Sequence, residues 1–169
     1  VSEQDYFSLL GLPCAFAVAP VDLESAWKRA SLAVHPDRFA TASPAEKRVA
    51  MQWSSRVNEA YRVLKSPLLR ARYLCELAGI DLQVETNTAM SPAFLMQQME
   101  WHEQLESIQA SPNAAELAAF EAELHQSLTD LISQVEHLLD AKNYLEAAVR
   151  IREWMFLDKL IAQLRAIET

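Results

Sequence analysis

The chain runs to 169 residues, 51% of them apolar, with only two glycines, Gly11 and Gly79. That is enough apolar material for one ordinary domain or two small ones, and the scarcity of glycine excludes a turn-rich all-β fold and a glycine loop that cradles phosphate. The formal charge of −8 divides unevenly, ten Lys/Arg against eight Asp/Glu in residues 1–78 and five against fifteen in 79–169, so the second half repels nucleic acid while the first suits an acidic protein surface.

The expectation is an all-α chain, punctuated by Ser43-Pro44, Ser66-Pro67, Ser91-Pro92 and Ser111-Pro112. A serine side chain accepts from the free amides of a first helical turn, and proline at the first helical position has no amide hydrogen to lose, so each pair reads as a helix start. Before them, Leu23, Trp27, Ala30 and Val34 line one face of a helix from about Pro20, with Asp22 and Glu24 near its positive end. It stops near His35, because Pro36 disfavours helical geometry in the residue before it. Trp53, Val57, Ala60, Tyr61 and Leu64 mark the next helix, from Pro44 to about Lys65, with Ser43 and Glu46 forming a capping box. A short helix over 68–78 follows, closed by Gly79. Residues 79–90 carry no sustained period and lie where the charge changes sign, so they read as a linker. Beyond it the spacing predicts helices over 92–110, 113–140 and 143–167, the middle one with Leu117, Phe120, Leu124, Leu128, Leu131, Val135 and Leu138 in a near-heptad stripe. Short connections make antiparallel neighbours, hence a three-helix bundle over 91–169.

His35-Pro36-Asp37-Arg38 falls in the loop of the first helical hairpin, beside Lys28 and Arg29 on the polar side of the helix before it. Proline fixes one backbone angle, and Asp37 is expected to turn back to nearby amides, displaying His35 and Asp37 at a tight corner. The flanking cations steer such a point contact toward an acidic partner. No serine or cysteine stands in a nucleophile context, which argues against a catalytic His/Asp dyad and against an enzyme. With Val57-Asn58-Glu59-Ala60-Tyr61-Arg62-Val63-Leu64 downstream and Asp5-Tyr6-Phe7-Ser8-Leu9-Leu10-Gly11-Leu12 upstream, the segment 1–78 resembles the J-domain family. The resemblance implies an antiparallel helical hairpin with flanking short helices. It also implies that His35, Pro36, Asp37, Arg38, Lys28 and Arg29 meet a DnaK/HscA-like chaperone and promote its ATP hydrolysis.

In the helix over 92–110, Gln98, Trp101, Leu105 and Ile108 cluster within about 40° of Phe94 on a wheel advancing roughly 100° per residue. Met96, Met99, Glu100 and Glu103 then lie opposite, with Leu95 at the border, and Phe156 falls outside the inner face of the last helix set by Trp154, Leu157, Ile161 and Leu164. Methionines ringed by carboxylates suit a protein-binding patch, since Met gives adaptable apolar area and Glu gives specificity. Phe94-Leu95-Met96-Gln97-Gln98-Met99-Glu100 and Phe156-Leu157-Asp158-Lys159-Leu160, together with Pro67-Leu68-Leu69-Arg70-Ala71-Arg72-Tyr73-Leu74, are similar to the HscB branch of the J-domain family. That resemblance implies delivery of the iron-sulfur scaffold IscU to the chaperone, with Leu95, Met96, Met99, Glu100, Glu103 and Phe156 as the scaffold-binding residues. The chain departs from the branch at Met99, where Leu is frequent, and at Ser107, where an acid is common.

Cys14 and Cys75 have no spacing that suggests a disulfide or zinc site, and His102, His125 and His137 form no ligand set, so neither metal nor cofactor is expected. No run of about 18 apolar residues occurs, which removes a membrane span from the expectation. Animal relatives carry a cysteine-rich zinc region ahead of the J-domain; its absence here favours a bacterial cytoplasmic form over a mitochondrial one. A monomer is expected. The competing readings are a general protein-folding J-domain co-chaperone and a helical scaffold that dimerises through the Leu117–Leu138 stripe.

Overall fold

The computed structural model describes residues 4–82 and 90–167. They form seven α-helices: α1 Tyr6–Leu10, α2 Pro20–Ala33, α3 Pro44–Lys65, α4 Pro67–Leu77, α5 Pro92–Ala110, α6 Ala114–Asp140 and α7 Tyr144–Ile167, with a 3-10 turn over Pro36–Phe39 between α2 and α3. The described residues include no strand. The chain divides into two compact units, Val1–Leu74 and Cys75–Thr169. Residues 83–89, most of the expected linker, lie outside the described residues.

In the first unit α2 and α3 make an antiparallel hairpin and α1 packs on both. Asp5 caps α1 by accepting from the Ser8 amide at 2.9 Å, and Gly11 closes it in the left-handed region at φ 71°, a conformation glycine adopts without strain. Phe7, Leu23, Ala26, Val57, Ala60 and Leu64 fill the centre. The Trp27 ring stacks on Tyr61 at 4.6 Å, and its Nε1 donates to Asn58, which pins the hairpin register. Tyr73 of α4 stacks on Tyr6, and its hydroxyl accepts from the Tyr6 amide at 2.9 Å. Arg70, almost fully buried, donates to the Leu64 carbonyl at 2.7 Å with its guanidinium over the Phe16 ring. Trp53 departs from the expected inner stripe and is 38% exposed. The reason is length: the 14-residue α2 covers only part of the 22-residue α3, so the early turns of α3 outreach their partner.

The second unit contains the α6–α7 hairpin with α5 against α7. Trp101, Leu105 and Ile108 face inward from α5, Phe120, Leu124, Leu131, Val135 and Leu139 from α6, and Ile151, Trp154, Leu157, Ile161 and Leu164 from α7. The Cys75 thiol is buried, lies 3.9 Å from the Tyr144 carbonyl and is pushed up to about 11 by burial, with Glu76 adding to the shift. Three of the four Ser-Pro steps start helices as expected, Ser43, Ser66 and Ser91 each accepting from the amide three residues on. Ser111-Pro112 does not: Ser111 ends α5, and Asn113 caps α6 by accepting from the amides of Ala115 and Glu116. Asparagine is as good a cap as serine, and here it stands next to the helix.

Candidate functional site

The first site is built by the exit from α2. His35 is held extended at φ −63° and ψ 136°, as a residue preceding proline must be, and Pro36 then opens the 3-10 turn. From that position the His35 Nδ1 accepts from the Asp37 amide at 3.2 Å, while the Arg38 amide donates to the His35 carbonyl at 3.0 Å. The capping group is therefore His35, not Asp37 as the sequence suggested. The Asp37 side chain stands 92% exposed, with Oδ2 3.5 Å from Nδ1. Nδ1 is the ring nitrogen that faces the cap, and Nε2 lies on the far side of the ring from it. Pro36 and Arg38 are exposed, as are Lys28 and Arg29 on α2; Lys28 also pairs with Glu24 at 3.3 Å. The loop is thus a short corner that displays an imidazole and an exposed carboxylate, with cations around it.

The second site lies on α5. Leu95 is 45% exposed and Met96 and Met99 are 65% exposed, so three large apolar side chains stand in solvent. Glu100 and Glu103 are exposed beside them and line a groove of about 530 Å³ with Gln104, Ser107 and Ile108 of α5 and Glu116 and Ala119 of α6. Gln97 donates to Glu100 at 3.3 Å. Phe156 is half-buried: its ring meets Phe94 edge-on at 5.9 Å, lies nearly parallel to Trp101 at 6.4 Å and meets His102 edge-on at 5.6 Å. The structure therefore seats Phe156 in an aromatic cluster on α5, with part of its ring still accessible. Sequence reading missed the α6 wall of the groove, Glu116 and Ala119. Periodicity places them off the inner face of α6 without saying which helix they confront.

Among the described residues no group of three or more His, Cys, Asp or Glu is placed to hold a metal ion, and no helix is long and apolar enough to cross a membrane.

A helical hairpin offering a His-Pro-Asp corner, followed by a unit of three long helices, defines an all-helical J-domain protein. Residues 90–165 match the family model described as the HSCB C-terminal oligomerisation domain. The curated co-chaperone protein HscB homolog of Bordetella parapertussis is 54% identical over 99% of this chain and 98% of its own, and that of Azoarcus sp. is 48% identical over 94% and 90%. Among solved structures, the chaperone HscB from Vibrio cholerae matches with a TM-score of 0.83 at 36% identity, covering 98% of each chain. Human co-chaperone protein HscB matches with a TM-score of 0.88 at 26% identity, over 99% of this chain and 84% of that one. The chain belongs to the HscB family of co-chaperones.

Proposed function

We propose that this chain stimulates the ATPase of a DnaK/HscA-like chaperone through its His35–Arg38 corner and delivers the iron-sulfur scaffold IscU to it through the α5 patch. The observation that carries this reading is the pairing, on separate compact units of one chain, of an exposed His-Pro-Asp corner with an exposed Met and Glu surface. Lys28, Arg29 and Arg38 steer the corner to an acidic face of the chaperone. Leu95, Met96, Met99 and the open side of Phe156 give the scaffold apolar area, with Glu100 and Glu103 selecting a basic counterpart. The chain itself makes and breaks no covalent bond and holds no cluster, and it acts in the bacterial cytoplasm.

The test is the ATP hydrolysis rate of an HscA-like chaperone with this chain and IscU, each alone and together. Stimulation that rises further with IscU is the expected result, whereas stimulation indifferent to IscU identifies a general folding co-chaperone. His35→Gln is expected to reduce stimulation by about ten-fold or more while leaving IscU affinity unchanged; retained stimulation overturns the role of the corner.

A second reading, self-association, is favoured by the oligomerisation named in the matching family model and by the half-exposed Leu117, Leu128 and Leu138 on α6. Sedimentation of the chain alone separates it from the monomeric adaptor.

A further inference from the structure

The corner does not end at His35 and Asp37. Pro36, Phe39 and Ala40 of the 3-10 segment, with Lys47, Ala50 and Met51 of α3, line a cleft of about 260 Å³. Ala50 is buried at its base, Phe39 is half-buried, and Met51 stands 65% exposed. The cleft forms where the early turns of α3 face the short 3-10 segment instead of a full helix. A dry cavity of about 150 Å³ accepts a benzene ring, so this space takes one leucine-sized or phenylalanine-sized side chain. The Met51 thioether can reshape one wall around it. Lys47 on the wall sets a cation beside the cleft, which suits an apolar side chain carried on an acidic segment. Pro36 belongs to both surfaces, so a partner seated on the corner reaches the cleft with no rearrangement of this chain.

We propose that this cleft is a second anchor point for the chaperone ATPase, receiving one large apolar side chain from an acidic stretch of that partner. The proposal rests on the reading that His35–Arg38 meets such a chaperone, and it names what the adjoining surface holds. Apolar burial there adds affinity and fixes the angle of approach, while the corner delivers the stimulus. Loss of the cleft contact therefore changes the concentration at which the chain acts and leaves the maximal stimulated rate in place.

The experiment titrates the full chain against an HscA-like chaperone and reads steady-state ATP hydrolysis. Met51→Glu, which sets a carboxylate in the mouth of the cleft, is expected to raise the half-maximal concentration about ten-fold, and Met51→Leu to stay within about two-fold of the parent. Lys47→Glu is expected to raise it as well and to flatten its dependence on salt. Met51 and Lys47 are exposed, and matching thermal melts exclude a folding defect. Unchanged half-maximal concentrations in both charged variants, with His35→Gln inactive, overturn the cleft and leave the corner standing. Stimulation that survives His35→Gln overturns the corner and the cleft with it. If Met51→Glu instead dissolves a self-association seen in sedimentation, the occupant is a second copy of the chain and the proposal falls.

Discussion

Glu153 is 2% exposed on the inner side of α7, and Arg150 Nη1 donates to both of its carboxylate oxygens at 2.9 Å. Burial holds its carboxyl above the ordinary glutamate value, and the Arg150 contact only partly offsets that. A carboxyl that keeps its proton to higher pH when folded favours the folded state fully below the unfolded pKa, near about 4.3, and that contribution is lost as pH climbs through the raised folded value. Glu153→Gln cannot ionise, so its stability relative to the parent is expected to improve as pH rises from about 4 to about 7. Urea unfolding at the two pH values checks this, and a constant difference rules it out. Nothing in the spacing of α7 announced this residue: a glutamate three positions after an arginine reads equally as a solvent-facing pair. The corner at His35 was legible as a corner, but its capping group was not. Aspartate is the commoner acceptor, and only the extended backbone forced by Pro36 brings the imidazole to the Asp37 amide.

Serine and proline mark the starts of α3 and α5 and proline that of α2, while apolar spacing marks α6 and α7, and all five fall within a residue or two of the expected bounds. The near-heptad stripe of α6 was read less well toward its end, where Leu139 is buried and Leu138 only half-buried. A straight helix slips about 20° per heptad against a seven-residue repeat, so over three heptads the inward position passes to the next residue. The α6–α7 turn carries another feature that spacing does not reveal. Lys142 has φ 58°, the left-handed region, with its amide donating to the Leu139 carbonyl at 3.0 Å and the Asn143 amide to the Leu138 carbonyl at 2.8 Å. That is a helix-ending motif that glycine ordinarily fills, and a side chain there costs about 1 kcal/mol. Lys142→Gly relieves the strain but loosens the unfolded chain, so a net stabilisation of up to about 1 kcal/mol is expected in chemical denaturation. Reduced stability shows that the strain at Lys142 is smaller than the freedom glycine restores to the unfolded chain.

At the scale of the whole molecule, each of the two units has its own buried centre, Phe7 and Leu64 in one, Phe120 and Leu157 in the other. The proposed chaperone contact belongs to the first and the proposed scaffold contact to the second, with no residue in common. His35→Gln and Met96→Ala are therefore expected to act independently on chaperone stimulation and on scaffold affinity, the double variant combining the single effects to within about 0.5 kcal/mol. A measured double-variant cycle that departs by more than that indicates coupling. The sequence made the two-part organisation visible through its change of charge, but the point of division between Leu74 and Cys75 falls inside α4, where unbroken helical spacing gives no sign of it. Two centres also mean that loss of one is not loss of the molecule. Heat or a core mutation that melts only the helices of the second unit leaves the hairpin and its corner in place, and with them the proposed chaperone contact. Under the proposed function such a half-folded chain is worse than an absent one, because it drives nucleotide turnover in a machine that has been handed no cargo.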